Sequence, residues 1–521
     1  MADTINIQLT GIDPASPIPG NYAEFKVAQG DSGGDLGPKK VMILAPKTSA
    51  GTLTVDTQVG GPYSRASDVI TATGVGSPAH RMFAKFMATA PAAQVQVYIL
   101  CPTAATGSAA TDEVTFAFTT GSNPTAAGVA TVTICGVACS YAYTTSDTAT
   151  TIAAGVKNAI NAQTSLPVTA TNASGVLTVA GKIAGTELNS IRFRSAVTAS
   201  TNVTTTVTAD TAIGTSGNGA AAIGVGSISY TAALATILGS KFDYIVAHTQ
   251  ESTPIDAVMD QVESQALPAT GFLQQVIFGS SLSVSSATTL ASGSSLNRFQ
   301  GQLMAQKESP EEHYLLAAGM AAVRCLNEVS DPSFNFNSYG TKPGQVNPFK
   351  APYNASAVPS STDLASMLSN GVTPIGVADN GTAYVVRSIT TRCKDGSGNF
   401  DYRARNTNIV TTGFKFTNDL RTKLAQAAWT KITQDPATSA DKQPDGLFAT
   451  PKRVKSLVET LVRDYSDSGW LDPGRKATVL AAIQVGVNSI NAGRMDVSVP
   501  LYSAIWLNAT ASSVNESSPS L

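Results

Sequence analysis

Histidine, cysteine and carboxylate clusters are where chemistry would be sought first, and this chain has few. His80, His248 and His313 are its three histidines, and they fall on different expected elements without the paired spacing of a metal site. The five cysteines, Cys101, Cys135, Cys139, Cys325 and Cys393, are odd in number and scattered, so they make no disulfide framework. Cys135 and Cys139 lie in TVTICGVACSYAY, a strand pattern, and four residues of strand span ~13 Å, too far for a bridge. The expectation is buried small apolar side chains in a chain made in a reducing cytoplasm. The stretch GVGSPAH, 74–80, begins like a dinucleotide loop, but Ala79 replaces its third glycine. No strand runs directly into it, and no acidic residue follows at the right distance. Gly181-Lys182 lacks both the upstream loop and the downstream hydroxyl of a phosphate-binding loop. Asp395, Ser397, Asn399 and Asp401 place oxygens at alternate positions, as calcium loops do. Phe400 then stands where such a loop needs glycine and Asn406 where it needs glutamate, so a polar turn fits better. There is no GxSxG and no evident Ser/His/Asp set. Catalytic, cofactor-binding and metal residues are therefore not assigned, and the chain reads as no enzyme.

Composition narrows the classes. The 521 residues are 43% hydrophobic, enough to bury a large core across two to four domains. Only 13% are charged, about half the usual fraction. The net charge of −2 argues against direct nucleic-acid binding. A surface poor in charge suits a protein covered by copies of itself. The opening MADTINIQLTGID has neither the basic nor the apolar part of a signal peptide. No segment approaches the ~20 apolar residues that cross a bilayer.

The elements alternate between strand and helix. Segments 22–28, 40–45 and 94–100 read as strands, with a helix from Ser77, a cap, and Pro78. Near 103 the texture shifts to Thr, Ala, Gly, Val and Ser. Strand-like runs follow to about 215, with one good helix at 147–163, Asp147 its expected cap and Ile152, Val156 and Ile160 its apolar stripe. This is an inserted α+β domain. The α/β pattern resumes at 230 with helix, strand 242–249, helix 252–265 and strand 272–279. Helix 309–329 starts at Pro310, with Glu311 and Glu312 expected in its first turn. Helix 362–369 precedes two strands joined at Asn380-Gly381, a strong hairpin signal. Helices around 416–434 and 451–468 complete a C-terminal α/β piece.

Both ends carry strand patterns without an obvious hairpin partner. NIQLTGI opens the chain, and MDVSVPLYSAIWLN, 495–508, closes it before a polar tail. Pro500 confines the second to an edge or a bulge. Unpaired edges are templates for another chain. The other option is that the ends pair with each other inside one domain.

Several stretches, in chain order, resemble the Mu-like group of contractile phage tail sheath proteins. They are IPGNYAEF (18–25), DTATTIAAGVKNAINAQTSLPVTA, AAGMAAVRCLNEVSDPSFNFNSY (317–339), GVTPIGVADNGTAYVVRSITTRCKDGSGNFDYRARNTNIV (371–410) and INAGRMDVSVPLYSAIWLN (490–508). Arg392 departs from the pattern, where tyrosine or similar is expected. The resemblance implies a mixed α/β, multidomain fold: a subtilisin-like α/β core without a catalytic triad, an inserted β-rich domain, a C-terminal α/β domain and terminal strand arms. The divisions are 1–20 for the N-terminal arm, 21–104 and 216–390 for the core, and 105–215 for the outward-facing insertion. Residues 391–494 form the C-terminal domain and 495–521 the last arm and tail. It further implies subunits stacked as hexameric rings around an inner tail tube, with baseplate and tail terminator proteins as further partners, no cofactor and no membrane insertion. Contraction would drive the tube through a bacterial envelope, from a virion tail assembled in the host cytoplasm. Ile5, Ile7, Leu9, Val497, Val499, Leu501, Ile505 and Leu507 would then exchange strands between subunits by β-augmentation. Helix 450–465 would turn Lys452, Arg453, Lys455 and Arg463 to the tube. A surface adhesin or an unrecognised hydrolase is the alternative.

Overall fold

The computed structural model describes residues 4–5, 39–91, 95–198, 202–219, 221–293, 295–401, 405–427, 429–435 and 447–504. The expected strand at 22–28, Tyr402, Ile7, Leu9, Ile505 and Leu507 lie outside the described residues. After β1 (Thr4–Ile5) come β2 (Lys39–Leu44), β3 (Val59–Tyr63), α1 (Ala66–Thr73), α2 (Pro78–Thr89) and β4 (Val95–Leu100). The next run is β5 (Thr111–Phe118), β6 (Gly128–Ile134), β7 (Val137–Tyr143), α3 (Ala149–Ala162), β8 (Val168–Ala173), β9 (Val176–Gly181), β10 (Arg192–Thr198), β11 (Val203–Thr205) and β12 (Thr211–Ala212). Then follow α4 (Thr231–Thr236), β13 (Tyr244–Ala247), α5 (Ser252–Gln265), β14 (Gln275–Ser280), α6 (Val284–Ser292), β15 (Gly301–Ala305), α7 (His313–Glu328), α8 (Ser361–Ser369), β16 (Val372–Val377) and β17 (Ala383–Val385). The last part holds α9 (Thr407–Gln426), β18 (Lys431–Ile432), β19 (Phe448–Ala449), α10 (Pro451–Asp467), α11 (Lys476–Ala482), β20 (Gln484–Asn488) and β21 (Met495–Ser498).

An eight-stranded sheet of order β17-β16-β15-β14-β13-β2-β4-β3 organises the molecule. Its inner neighbours are parallel; β17 and β3 close the edges antiparallel. Strands β13, β14 and β15 are buried along their whole length, because helices cover both faces. On one face Val41, Ile43, Val246 and Ile277 pack with Phe83 and Phe86 of α2 and Met320 of α7. On the other, Met42, Leu44, Ile245 and Phe278 meet Ile255, Val258 and Val262 of α5 and Ala287 of α6. The class is mixed α/β and multidomain, as expected.

Residues 111–212 form two four-stranded sheets, β12-β10-β6-β7 and β11-β5-β9-β8. Helix α3 lays its Ile152, Val156 and Ile160 stripe against them. Its cap is Thr148, in a reciprocal box with Thr151. Asp147 instead accepts from the Thr144 N–H and hydroxyl one turn earlier. The single strand expected through Cys135 and Cys139 is a hairpin. Cys135 (φ 51°) and Gly136 (φ 76°) make its tight turn, and Cys139 lies opposite Val132. Two positive φ values in succession are what a two-residue hairpin turn requires. All five cysteines are buried and unbridged.

Helix α7 begins three residues later than expected, with Glu312 at its cap position. Glu311 and Glu312 are drawn out of the first turn by cations. Lys85 and Lys350 hold Glu311, and Arg81 holds Glu312. Helix α9 starts nine residues before the sequence pattern suggested. Its first turns are Thr- and Asn-rich, and tertiary burial makes them helical.

Candidate assembly interface

The end of the chain folds around α10. Thr450 caps this helix through the Arg453 N–H, and Pro451 takes the first helical position. Val454, Val458, Leu461, Val462 and Tyr465 form its buried face, packed with Phe416, Val485 and Leu501. Against this face lies a three-stranded sheet of order β1-β20-β21. Strands β20 and β21 are an antiparallel hairpin, with Val485 opposite Val497 and Val487 opposite Met495. Buried Asp496 fixes the hairpin: it accepts from Asn488 Nδ2 at 2.7 Å and from Arg494 Nε at 2.6 Å. Asn488 Oδ1 in turn accepts the N–H groups of Ile490 and Asn491 in the loop. Strand β1 runs parallel to β20, Thr4 in register with Val487 and Ile5 with Asn488.

This corrects one expectation. The closing strand does have a partner in its own chain, because QVGVN, 484–488, pairs with it. Val497 is thus a ladder residue of the hairpin. Val499 and Leu501 lie beyond the ladder, which ends before Pro500. From there the chain leaves the sheet and follows the 470–472 loop. The Asp472 N–H donates to the Tyr502 carbonyl, and Ser503 bridges Leu471. Asn408 Nδ2 on α9 donates to the Ala504 carbonyl at 3.3 Å. Among the described strands, β21 has no neighbour on its outer side, and neither has β1.

Of the four cations expected at the tube, Lys452 and Arg463 lie on an exposed stripe of α10 and Lys455 is half-buried at the flank of the apolar face. Glu459 shares that stripe, 3.8 Å from Arg463. Arg453 is turned aside and donates from Nη1 to the Phe448 carbonyl at 2.8 Å.

Two of the three histidines meet after all, at the carboxyl end of the large sheet. His313 Nε2 faces the His248 carbonyl at 2.8 Å, so that nitrogen carries the proton. Nδ1 then accepts from Ser190 Oγ at 2.9 Å. Glu187 Oε2 lies 3.3 Å from His313 Nε2. A hydroxyl, an imidazole and a carboxylate are the components of a nucleophile relay. Here they are sealed: His313 is 0% exposed and Glu187 3%, so a substrate has no approach. No sequence signal marks this cluster, because Glu187 and Ser190 arrive from the inserted segment. Burial pushes the His248 imidazole down to about 4, with Glu187 opposing in part. Burial alone would push the Glu187 carboxyl up, but the His248 and His313 rings and the Thr249 hydroxyl outweigh it and hold it below the usual range.

The remaining motifs resolve into local structure. GVGSPAH follows helix α1 rather than a strand, and Ser77 caps α2 by accepting the His80 N–H. The Asp395 carboxylate accepts from the N–H groups of Ser397 and Asn399, in a turn closed by the Lys394–Phe400 bridge. Among the described residues no helix is long and apolar enough to cross a membrane.

No family model matches the chain, and no curated protein does. Solved structures similar to it include two sheath tail proteins and the sheath of a contractile injection system. A sheath tail protein of Desulfitobacterium hafniense is 10% identical, with 93% of this chain and 100% of that one covered and a TM-score of 0.45. A sheath tail protein of Listeria innocua is 11% identical over 91% of this chain and 96% of that one, TM-score 0.43. The PVC sheath of an extracellular contractile injection system, in its contracted state, is 10% identical over 96% of this chain and 98% of that one, TM-score 0.46.

Proposed function

We propose that this chain is the structural subunit of a contractile tail sheath. It polymerises as stacked rings on an inner tube and contracts to drive that tube through a bacterial envelope. The observation that carries this reading is the β1-β20-β21 sheet. A two-residue strand from one end of the chain lies on a hairpin from the other. Residues 6–38 separate it from the core, and fully extended they reach roughly 100 Å. That is enough for β1 to come from a neighbouring copy in the same register. Among the described strands β21 has no neighbour on its outer side, where the residues after Ala504 of another copy would add. Head-to-tail addition of this kind does not close on itself and builds a helical filament. The ordered sequence resemblances support the same reading.

Under it, the eight-stranded body is the subtilisin-like core and residues 105–215 face outward. The α10 stripe of Lys452 and Arg463, with Lys455 at its flank, faces the tube, and Arg453 serves the helix instead. Ile5, Ile7 and Leu9 at one end, and Ile505 and Leu507 at the other, make the exchange. Val497 belongs to the hairpin that receives it, with Val499 and Leu501 just beyond the ladder. The particle is a virion tail or a phage-derived machine, assembled in the host cytoplasm with baseplate and tail terminator proteins.

Negative-stain microscopy of the full chain beside versions lacking residues 1–10 or 505–521 tests this. Both cuts spare the β20–β21 hairpin and its packing. Filaments or rings from the full chain, and soluble single copies from either deletion, are expected. Filaments that persist in both deletions would end the strand-exchange reading.

A further inference from the structure

The order of the large sheet marks one place where its connections part. Strand β2 leads through α1 and α2 to β4 on one side, and its other neighbour β13 leads through α5 to β14 on the opposite side. The carboxyl ends of such a strand pair open a crevice between the two outgoing connections, and there open α/β sheets take their ligands. In this chain the crevice lies beyond Leu44 of β2 and Ala247 of β13, where the His248 N–H donates to the Leu44 carbonyl at 3.1 Å. The turn Thr186–Ser190 of the inserted segment reaches into it.

The core offers protons at this point. His313 opens α7, whose positive dipole end favours an anion, and its Nε2 carries a proton. Thr249 Oγ1 accepts the Glu251 N–H at 3.0 Å and turns its own proton to the Glu187 carboxylate. His248 supplies a third donor. The Tyr230 hydroxyl lies 2.7 Å from His248 Nδ1 and 3.5 Å from the Leu44 carbonyl, so it donates to the ring. His248 Nε2 therefore carries the proton, and it has no hydrogen-bond partner among the described residues. Leaving a buried donor so costs about 1–3 kcal/mol, and an acceptor close by relieves it.

A carboxylate suits this set, because its two oxygens accept from several donors at once. Neutral imidazole and hydroxyl donors offset one negative charge and not the two or three of a phosphate. The carboxylate present is Glu187, 3% exposed, with Oε2 3.3 Å from His313 Nε2. The turn is seated on both sides of it. The Thr186 hydroxyl donates to Glu251, and Ser190 Oγ to His313 Nδ1.

We infer that the core carries a carboxylate-binding site in this crevice, and that Glu187 of the inserted segment is its tethered occupant. Cutting that side chain back to Cβ removes the heavy atoms of one acetate ion, so acetate is the free ligand the variant site takes. The inference does not depend on the proposed function.

Melting the full-length Glu187→Ala variant in rising sodium acetate at neutral pH tests it. Acetamide, the neutral molecule of the same shape, runs in parallel, with sodium chloride matched for ionic strength. The variant should melt below the natural chain and recover saturably with acetate, half of the effect at about 1–10 mM, the range so small a ligand reaches. Acetamide and chloride should give no saturable recovery, and the natural chain should not respond to acetate. Glu187→Gln keeps the shape and removes the charge. It should melt lower than the natural chain and gain nothing from acetate, and it decides the matter if the alanine variant does not fold. An alanine variant indifferent to acetate overturns the inference. So does recovery with acetamide equal to that with acetate, which would mean a void filled by volume alone. A Glu187→Gln variant that melts with the natural chain overturns it too.

Discussion

The inserted segment and the N-terminal strand are both pieces of chain docked on a foreign surface, and they are held by opposite means. The insertion is fastened by buried charge. Arg81, paired with Glu312 inside the core at 2.5 Å, donates to the Ser165 carbonyl across the seam. Lys182 reaches back to the carbonyls of Val75 and Thr164, and His313 gathers Glu187 and Ser190. Gly76 passes so close that a Cβ there would lie 2.4 Å from the Leu166 carbonyl. Among the described residues, strand β1 has a two-residue parallel register. Buried ionic seams are specific and hard to open, whereas a short ladder is easily exchanged. The contrast separates a part held by buried charge from a part that, under the proposed function, changes partners.

The seam is where substitution should hurt most. Arg81→Met leaves Glu312 buried at 0% exposure without its guanidinium. Removing one partner of such a pair costs about 3–5 kcal/mol. Urea unfolding followed by fluorescence should show that loss. A cost below 1 kcal/mol would mean the seam is held by packing alone.

Acid should act on the same seam, with a comparable effect. His248 titrates near 6.5 unfolded and about 4 folded, so the unfolded chain binds the proton first. Stability is therefore complete above pH 6.5 and falls as pH drops toward 4, by about 3 kcal/mol. Glu187, also held low, adds loss in the same direction as pH falls through the carboxylate range. Tyr230 bonds His248 Nδ1 at 2.7 Å and stays neutral throughout, its hydroxyl pushed up by burial. A pH series on His248→Gln should flatten the upper part of that slope. An unchanged slope would assign the acid sensitivity elsewhere.

The hairpin that receives β1 is intermediate. Asp496→Ala removes the acceptor for both Asn488 Nδ2 and Arg494 Nε. The expected cost is about 1–3 kcal/mol. Hydrogen exchange should rise across 484–498 first and leave the large sheet protected. Uniform loss of protection would make the terminal sheet part of one cooperative unit with the core.

What the sequence made legible follows the same division. Local signals are legible: the Ser77 cap with Pro78, the α3 stripe, the Asn380-Gly381 turn and the helix at 451–468 all form as their spacing requires. Short strands of mixed polarity did not announce themselves. GQLMA of β15 and QVGVN of β20 contain Gly and Gln, which carry little strand propensity, and only their neighbours make them strands. Overlooking β20 is what made the closing strand look unpartnered. The Glu187–His313 contact joins residues far apart in sequence, where no periodicity can speak.

The smallest effect on stability should come from removing residues 1–10. The β1 register offers at most a few hydrogen bonds, each worth about 1 kcal/mol net, against the entropy of holding residues 6–38 closed. Urea unfolding of the single copy should shift by less than about 1 kcal/mol. Under the proposed strand exchange, assembly should be lost in the same sample. That dissociation of stability from assembly is the sharpest form of the comparison. If the deletion unfolds the chain as severely as Arg81→Met, β1 is an integral strand of its own subunit, and the contrast between a fixed part and an exchangeable one fails.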